Sequence, residues 1–403
     1  MILKTTKNQP DLPRYFSRVM AILQDVQCGR LDIKLRDGRV FRAEGAGPGP
    51  VAEVHVHNCD LFARLIRDGD LGFCEAYLDQ WWSSPDLQAF MDFLYKAGDG
   101  VYDGFPGIGL VRAYERLRFW LHRNNRAQAR RNISYHYDLG NEFYALWLDE
   151  TMTYSSAMFE TGQESLEAAQ IRKYASMVDK MGVKPGDHIL EIGCGWGGFA
   201  EYAAGQRGLR VTGLTISQEQ LSYAQERIGK AGLSDHVDLR LQDYRDERGQ
   251  YDGIASIEML EAVGEKYWPV YFNTLHERLK PGANATLQVI TVTDQRWRTY
   301  RRSVDFIQKH IFPGGMLLTP TILRDQAEKA GLSMIGSVEF GPSYGLTLRR
   351  WHETFNHRWD QVADLGFDER FRRMWNFYLT ACAAAFDSGK VDVTQVTVTR
   401  PAL

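Results

Sequence analysis

The stretch DHILEIGCGWGGF at residues 187–199 constrains this chain more than any other. Ile189, Leu190 and Ile192 form a short apolar run that reads as a strand; it ends at Gly193, and a helical pattern begins at Gly198. Between them Gly193, Gly195 and Gly197 supply a turn in which the backbone takes positive φ and lets a ligand approach closely. The unpaired N–H groups of the new helix favour an electron-rich guest. Strand, glycine turn and helix together predict a nucleotide-like cofactor.

From this turn onward, strands and helices alternate. Strand patterns fall at Val211–Leu214, Val237–Leu241, Tyr251–Ile257 and Ala285–Val292, with helical patterns at Gln218–Ala231 and Tyr267–Leu279. Continuous apolar strands separated by helices predict an α/β class: a doubly wound, mainly parallel sheet covered on both faces, with its ligand beyond the carboxyl ends of the strands. Residues 293–350 read as an insertion that caps the site, a helical cap, and Arg370–Asp387 as a last helix. Upstream, a helical pattern at 13–27 precedes a hairpin, Leu31–Phe41 about Asp37-Gly38, and a strand at Val51–Val56. Helices follow over Cys59–Asp68, ended by Gly69, then Leu71–Trp82 and Asp86–Ala97. This is a small N-terminal α+β unit. At 403 residues the chain exceeds one ordinary core. The expected division is 1–110 and 111–403, with the glycine-rich Gly98–Gly109 as linker or lid.

A net charge of −3 offers no case for nucleic acid. The five cysteines are scattered and odd in number and lack metal-ligand spacing, so neither disulfides nor a metal are expected, and the cytoplasm is the expected compartment. The polar start has no signal core, and no run approaches the ~20 apolar residues of a membrane span. Val111–Asn132 carries seven arginines interleaved with Leu117, Phe119, Trp120 and Leu121. Such a segment is either a solvated helix face or a helix lying on an anionic phospholipid surface.

A glycine turn after a first strand serves nicotinamide and S-adenosylmethionine binders alike. Here the spacing is GCGWGG rather than G-x-G-x-x-G, and the second strand closes on Gly213-Leu214-Thr215 without an acid. The acid, Glu191, precedes the turn, and Gln242-Asp243-Tyr244 follows the third strand, where an adenine needs a polar partner and a flat neighbour. This combination favours S-adenosylmethionine.

HYDLGNEFYALWLD, MTYSSAMF, LEIGCGWGGFA, GLTISQEQ, IEMLEAVG, IFPGG and YGLTLRRW follow one another in this order. In them the chain resembles, over residues 127–400, the cyclopropane fatty acid synthase family of S-adenosylmethionine-dependent methyltransferases. Residues 13–97 are more loosely similar to the small N-terminal domain of the longer bacterial members. The resemblance implies that Tyr154 and Ser155 reach the methionine part of the cofactor and that Gly193 and Gly195 pass beneath it. It further implies that Thr215 and Gln220 approach the ribose, while Asp243 and Tyr244 hold adenine. It implies methyl transfer to the double bond of an unsaturated acyl chain of a membrane phospholipid, by an enzyme peripheral to the membrane and, as in longer members, a possible homodimer.

Methylating an isolated double bond leaves a carbocation, which aromatic faces stabilise and a dry pocket protects. Tyr137, Phe143, Tyr144, Trp147, Tyr267, Trp268 and Tyr344 are the candidates for that lining. The family resemblance also implies a bicarbonate ion as base, held by a glutamate, a histidine, a tyrosine and backbone near a cysteine; Glu261 matches the glutamate, Tyr344 the tyrosine, and Ile290 is retained beside the histidine position. Two positions depart: Ser156 stands where the family has a cysteine, and Gln288 where it has a histidine. Both still donate hydrogen bonds to an oxyanion. A cyclopropane product therefore stays open beside a methyl-branched or methylene one, and a lipid-binding protein without catalysis is the alternative from another class.

Overall fold

The computed structural model describes residues 2–98, 105, 109–121 and 139–402. Tyr137, most of the Gly98–Gly109 linker and the arginine-rich segment beyond Leu121 lie outside the described residues.

The N-terminal unit is a five-stranded sheet of β1 (Ile2–Leu3), β2 (Cys28–Lys34), β3 (Val40–Glu44), β4 (Gly47–Val56) and β5 (Trp82–Ser83), in the order β1-β3-β2-β4-β5. β2 and β3 form the expected hairpin, with Asp37 accepting from the Arg39 backbone at 3.0 Å. Gly69 ends the first helix as expected: within Leu61–Leu78 it takes φ 70° and ψ −154°, outside the helical region, and a second helix follows it. The Leu87–Lys96 helix is capped by Asp86, whose carboxylate accepts from Ala89 N–H at 2.9 Å.

The second sheet has seven strands: β6 (His188–Ile192), β7 (Arg210–Thr215), β8 (Val237–Leu241), β9 (Tyr251–Ile257), β10 (Leu279–Val292), β11 (Ser333–Glu339) and β12 (Val391–Thr399). Their order is β11-β12-β10-β9-β6-β7-β8, and β12 alone runs against the others. The mainly parallel, doubly wound α/β sheet is therefore present, with two departures from expectation. β11 lies inside 293–350, so only part of that stretch caps the site while the rest extends the sheet. β12, absent from the sequence reading, inserts between β10 and β11 and pairs Gln288 with Gln395. Its VDVTQVTVT pattern is β-branched at most positions, which suits a strand buried on both faces.

The Gly341–His357 and Glu369–Asp387 helices join the two units. Their Trp351, Trp375 and Phe377 belong to the same apolar core as Phe16, Phe41 and Trp82 of the N-terminal unit. Arg373 fastens the junction: its guanidinium lies 3.8 Å from the centre of the Tyr77 ring and donates to the carbonyls of Tyr77 at 2.7 Å and Trp82 at 2.9 Å. Charge-assisted bonds of this kind contribute roughly 1.5–3 kcal/mol each. Replacing Arg373 by Ala is expected to lower the stability of the joined protein by about 3 kcal/mol. A urea titration followed by tryptophan fluorescence tests this, and an unchanged midpoint would refute it.

Candidate active site

The crevice opens at the carboxyl end of β6, where the strand order reverses. Gly193 and Gly195 take φ 85° and 51°, and the N–H groups of Gly193 and Cys194 both donate to Leu214 carbonyl oxygen at 2.9 Å, tying the turn to β7. A Cβ on Gly195 would meet nothing within 4 Å, so the turn faces open space. Thr215, at the end of β7, donates through Oγ1 to Gln220 Oε1 at 3.1 Å and accepts from Ser217 N–H at 3.2 Å. Asp243, just past β8, is oriented by Arg245, whose backbone N–H and Nε donate to Oδ1 at 3.0 and 2.8 Å. The Tyr244 ring is set edge-on to Tyr271, 5.6 Å between centroids. Gly193, Gly195, Thr215, Gln220, Asp243, Tyr244 and Tyr154 line one cavity of about 790 Å³. Open backbone at one end and a fixed acid beside a flat ring at the other suit S-adenosylmethionine.

Across the cavity stand two acids at the end of β9. Glu258 takes φ 50°, a left-handed conformation that costs a non-glycine residue ~1–2 kcal/mol and turns its side chain inward. Its Oε1 accepts from Ser156 N–H at 2.8 Å and Gln288 Nε2 at 2.8 Å, and its Oε2 accepts from the Tyr344 hydroxyl at 2.6 Å. Glu261 Oε1 accepts from Ile290 N–H at 2.5 Å, while its Oε2 is buried with no hydrogen-bond partner among the described residues. Burial, reinforced by the charge of Glu258, pushes Glu261 up to about 8. Burial also raises Glu258, but the Tyr344 hydroxyl, the Lys173 ammonium, the Gln288 amide and Ser156 N–H all act against it. On balance both acids are raised above the ordinary carboxylate range, and they differ in their partners: Glu258 is supplied with three donors, Glu261 with one backbone N–H.

The donors expected to hold a bicarbonate ion, Gln288, Tyr344 and the backbone near Ser156, are taken by the Glu258 carboxylate. A second anion there would confront Glu258 and Glu261 with no donor left from that set, so the residues do not fit bicarbonate. Ser156 contributes its backbone only; its hydroxyl donates to Ala157 carbonyl oxygen at 2.8 Å. Ser155 is buried, with its Oγ accepting from Lys173 Nζ at 2.7 Å. Lys173 is itself wholly buried, and desolvation pushes its ammonium down to about 7.

The aromatic expectations divide in two. Tyr344 lines the cavity, stacked on Phe386 at 4.4 Å, and Phe312 and Tyr378 join it. Phe143 and Trp147 do not: both are buried in a ring cluster with Trp375, and Trp147 and Tyr144 buttress Tyr154 at 5.5 and 5.4 Å from behind. Tyr267 lies outside the lining, against Arg245 and Lys266, and Trp268 packs on Trp297. Sequence reasoning missed Glu258 and Lys173. The available signal for Glu258 was an acid placed immediately after a strand and three residues before Glu261.

Fold and crevice define a class I S-adenosylmethionine-dependent methyltransferase. The family model described as mycolic acid cyclopropane synthetase matches residues 124–396, and the chain belongs to that family. It is 40% identical over 368 residues to the tuberculostearic acid methyltransferase UfaA1 of Mycobacterium tuberculosis, covering 89% of this chain and 86% of that one. It is 36% identical over 360 residues to the cyclopropane-fatty-acyl-phospholipid synthase of Escherichia coli, covering 87% and 88%. Among solved structures, the mycolic acid cyclopropane synthase CmaA1 complexed with SAH and CTAB matches with a TM-score of 0.64 and 30% identity, over 67% of this chain and 97% of that one.

Because Glu261 binds its proton more tightly when folded, its contribution to stability is complete below pH ~4.5 and is lost as pH rises through about 8. Glu261→Gln keeps the neutral shape without this loss. Its melting temperature relative to the native protein should therefore climb by about 5 °C between pH 5 and pH 9. A difference that stays constant with pH, measured by calorimetry, would remove the buried proton from Glu261.

Proposed function

We propose that the protein methylates the double bond of an unsaturated acyl chain carried by a membrane phospholipid, and that Glu258 takes up the proton released afterwards. The observation that carries this reading is the hydrogen-bonded Glu258 carboxylate facing the glycine turn across one continuous, largely apolar cavity. When bound, S-adenosylmethionine supplies an electrophilic methyl group.

Each step left to the chain would fall to a residue of this cavity. Gly193, Gly195, Thr215, Gln220, Asp243 and Tyr244 would hold the cofactor, with Tyr154 at the junction with the acyl space. Tyr344, Phe386 and Phe312 would offer ring faces to the cationic acyl carbon and exclude water from it. Glu258, supplied with three donors and within the same cavity, would accept the proton in its ionised form, while the protonated Glu261 adds no second negative charge. Closing a cyclopropane and forming a methylene group both release one proton, so one base serves either product.

Access from a membrane is supported by the Gly109–Leu121 helix. Its Tyr114 and Leu117 are 63% and 57% exposed, while Val111, Tyr114 and Glu115 border the cavity. Exposed apolar side chains beside an opening suit a lipid bilayer as the source of the acyl chain. No helix among the described residues is long and apolar enough to cross a membrane. The relatives support a lipid substrate through their names, one a fatty-acyl-phospholipid synthase and one a methyltransferase.

Vesicles of dioleoyl phospholipids incubated with the protein and methyl-labelled S-adenosylmethionine should acquire label in their acyl chains. Ozonolysis before mass spectrometry then cleaves a methylene product and spares a cyclopropane. Glu258→Gln should lower turnover by about 10²–10⁴-fold with cofactor binding by calorimetry unchanged. Unlabelled lipid, or full activity in that variant, would overturn the assignment.

A further inference from the structure

Glu258 is linked to the protein surface through two side-chain amides, and the link has a direction. Gln288 on β10 and Gln395 on β12 are register partners across the sheet. An amide presents an acceptor on one side and donors on the other, and its orientation follows from its partners.

The outermost partner leaves no choice. Lys180, on the Leu166–Met181 helix, carries an ammonium that donates and never accepts. Its Nζ lies 2.6 Å from Gln395 Oε1 and 2.8 Å from Ser176 Oγ, which itself donates to the same Oε1 at 2.7 Å. With its oxygen held outward, Gln395 turns Nε2 inward, 3.2 Å from Gln288 Oε1 and 3.5 Å from Lys173 carbonyl oxygen. Gln288 in turn presents Nε2 to Glu258 Oε1 at 2.8 Å and to Ser156 carbonyl oxygen at 3.2 Å. Reversed, the same chain would set Gln288 Oε1 against Glu258 Oε1, an acceptor pair that only a protonated Glu258 could satisfy.

We propose that Lys180 is a positioning residue for the reaction: acting through Gln395, it holds Gln288 as a donor to Glu258 and so maintains Glu258 in its proton-accepting form. This rests on the assignment of Glu258 as base made above. The other groups facing Glu258 are the Lys173 ammonium from the same helix as Lys180, the Tyr344 hydroxyl from Gly341–His357 and the protonated Glu261 from its own turn. Asp179 is the charged neighbour of Lys180, whose own ammonium is pushed down by burial.

The test is the pH dependence of methyl transfer to vesicles of dioleoyl phosphatidylethanolamine and phosphatidylglycerol. Lys180→Met should move the acid limb of kcat upward by about one pH unit, so that the rate below the limb falls about tenfold while the plateau at high pH stays within about twofold. Lys180→Arg, which keeps an obligate donor, should restore the native limb. In the cofactor-free protein, the infrared band of a protonated carboxyl that disappears in Glu258→Gln should titrate about one pH unit higher in Lys180→Met. Gln395→Leu should reproduce both shifts; where that variant does not fold, Lys180→Met decides alone. An unmoved limb, or a loss equal at every pH, combined with an inactive Glu258→Gln overturns the relay and leaves the base in place. An active Glu258→Gln overturns the base and the relay with it.

Discussion

The Glu258 carboxylate is held by neutral donors, with no ion pair of its own among the described residues. A buried carboxylate stays charged only where hydrogen bonds replace the water it has lost. Its donors come from positions 102, 30 and 86 residues away in the chain: Ser156, Gln288 and Tyr344. They meet only when β9, β10, the segment after Met152 and the Gly341–His357 helix are all in place. The positive φ at Glu258 belongs to the same constraint, because an extended or helical backbone there would aim the side chain elsewhere. The strain is offset by three bonds to a charged group, each stronger than a bond between neutral partners.

The sheet was largely legible because its signals are local. The run at Ile189–Ile192, the glycines behind it and the Asp37-Gly38 hairpin each act within a few residues. Gly69 is a signal of the same kind: its non-helical backbone, φ 70°, separates two helices within Leu61–Leu78 where the sequence places the break. β12 went unread because Thr394 and Thr397 are buried along with the valines, so no alternation of polarity marks its faces.

The site was legible by half, and the division has a physical cause. The residues expected to face the cofactor sit at strand ends in a fixed order, so a motif places them along one cavity. Aromatic density carries no such information: Phe143 and Trp147 have the composition of a lipid channel, yet they turn toward Trp375 and the core. Glu258 follows a strand as Glu261 follows a turn, and no periodicity distinguishes an acid facing three donors from one buried beside a single backbone N–H.

A base carried by the chain differs from a dissolved ion in what it requires of the protein. An ion must be recruited at each cycle and held by donors arranged for a free anion, whereas a tethered carboxylate is always present but must be kept ionised beside a second acid. The protonation of Glu261 meets the first part of that demand by removing one negative charge from the cavity. The fixed direction of the Gln288 amide meets the second, since it offers Glu258 an N–H rather than an oxygen. That direction passes through Gln395 of β12, the register partner of Gln288, whose oxygen is held outward by Lys180 and Ser176. The antiparallel strand between β11 and β10 thus joins the Leu166–Met181 helix to the acid that follows β9.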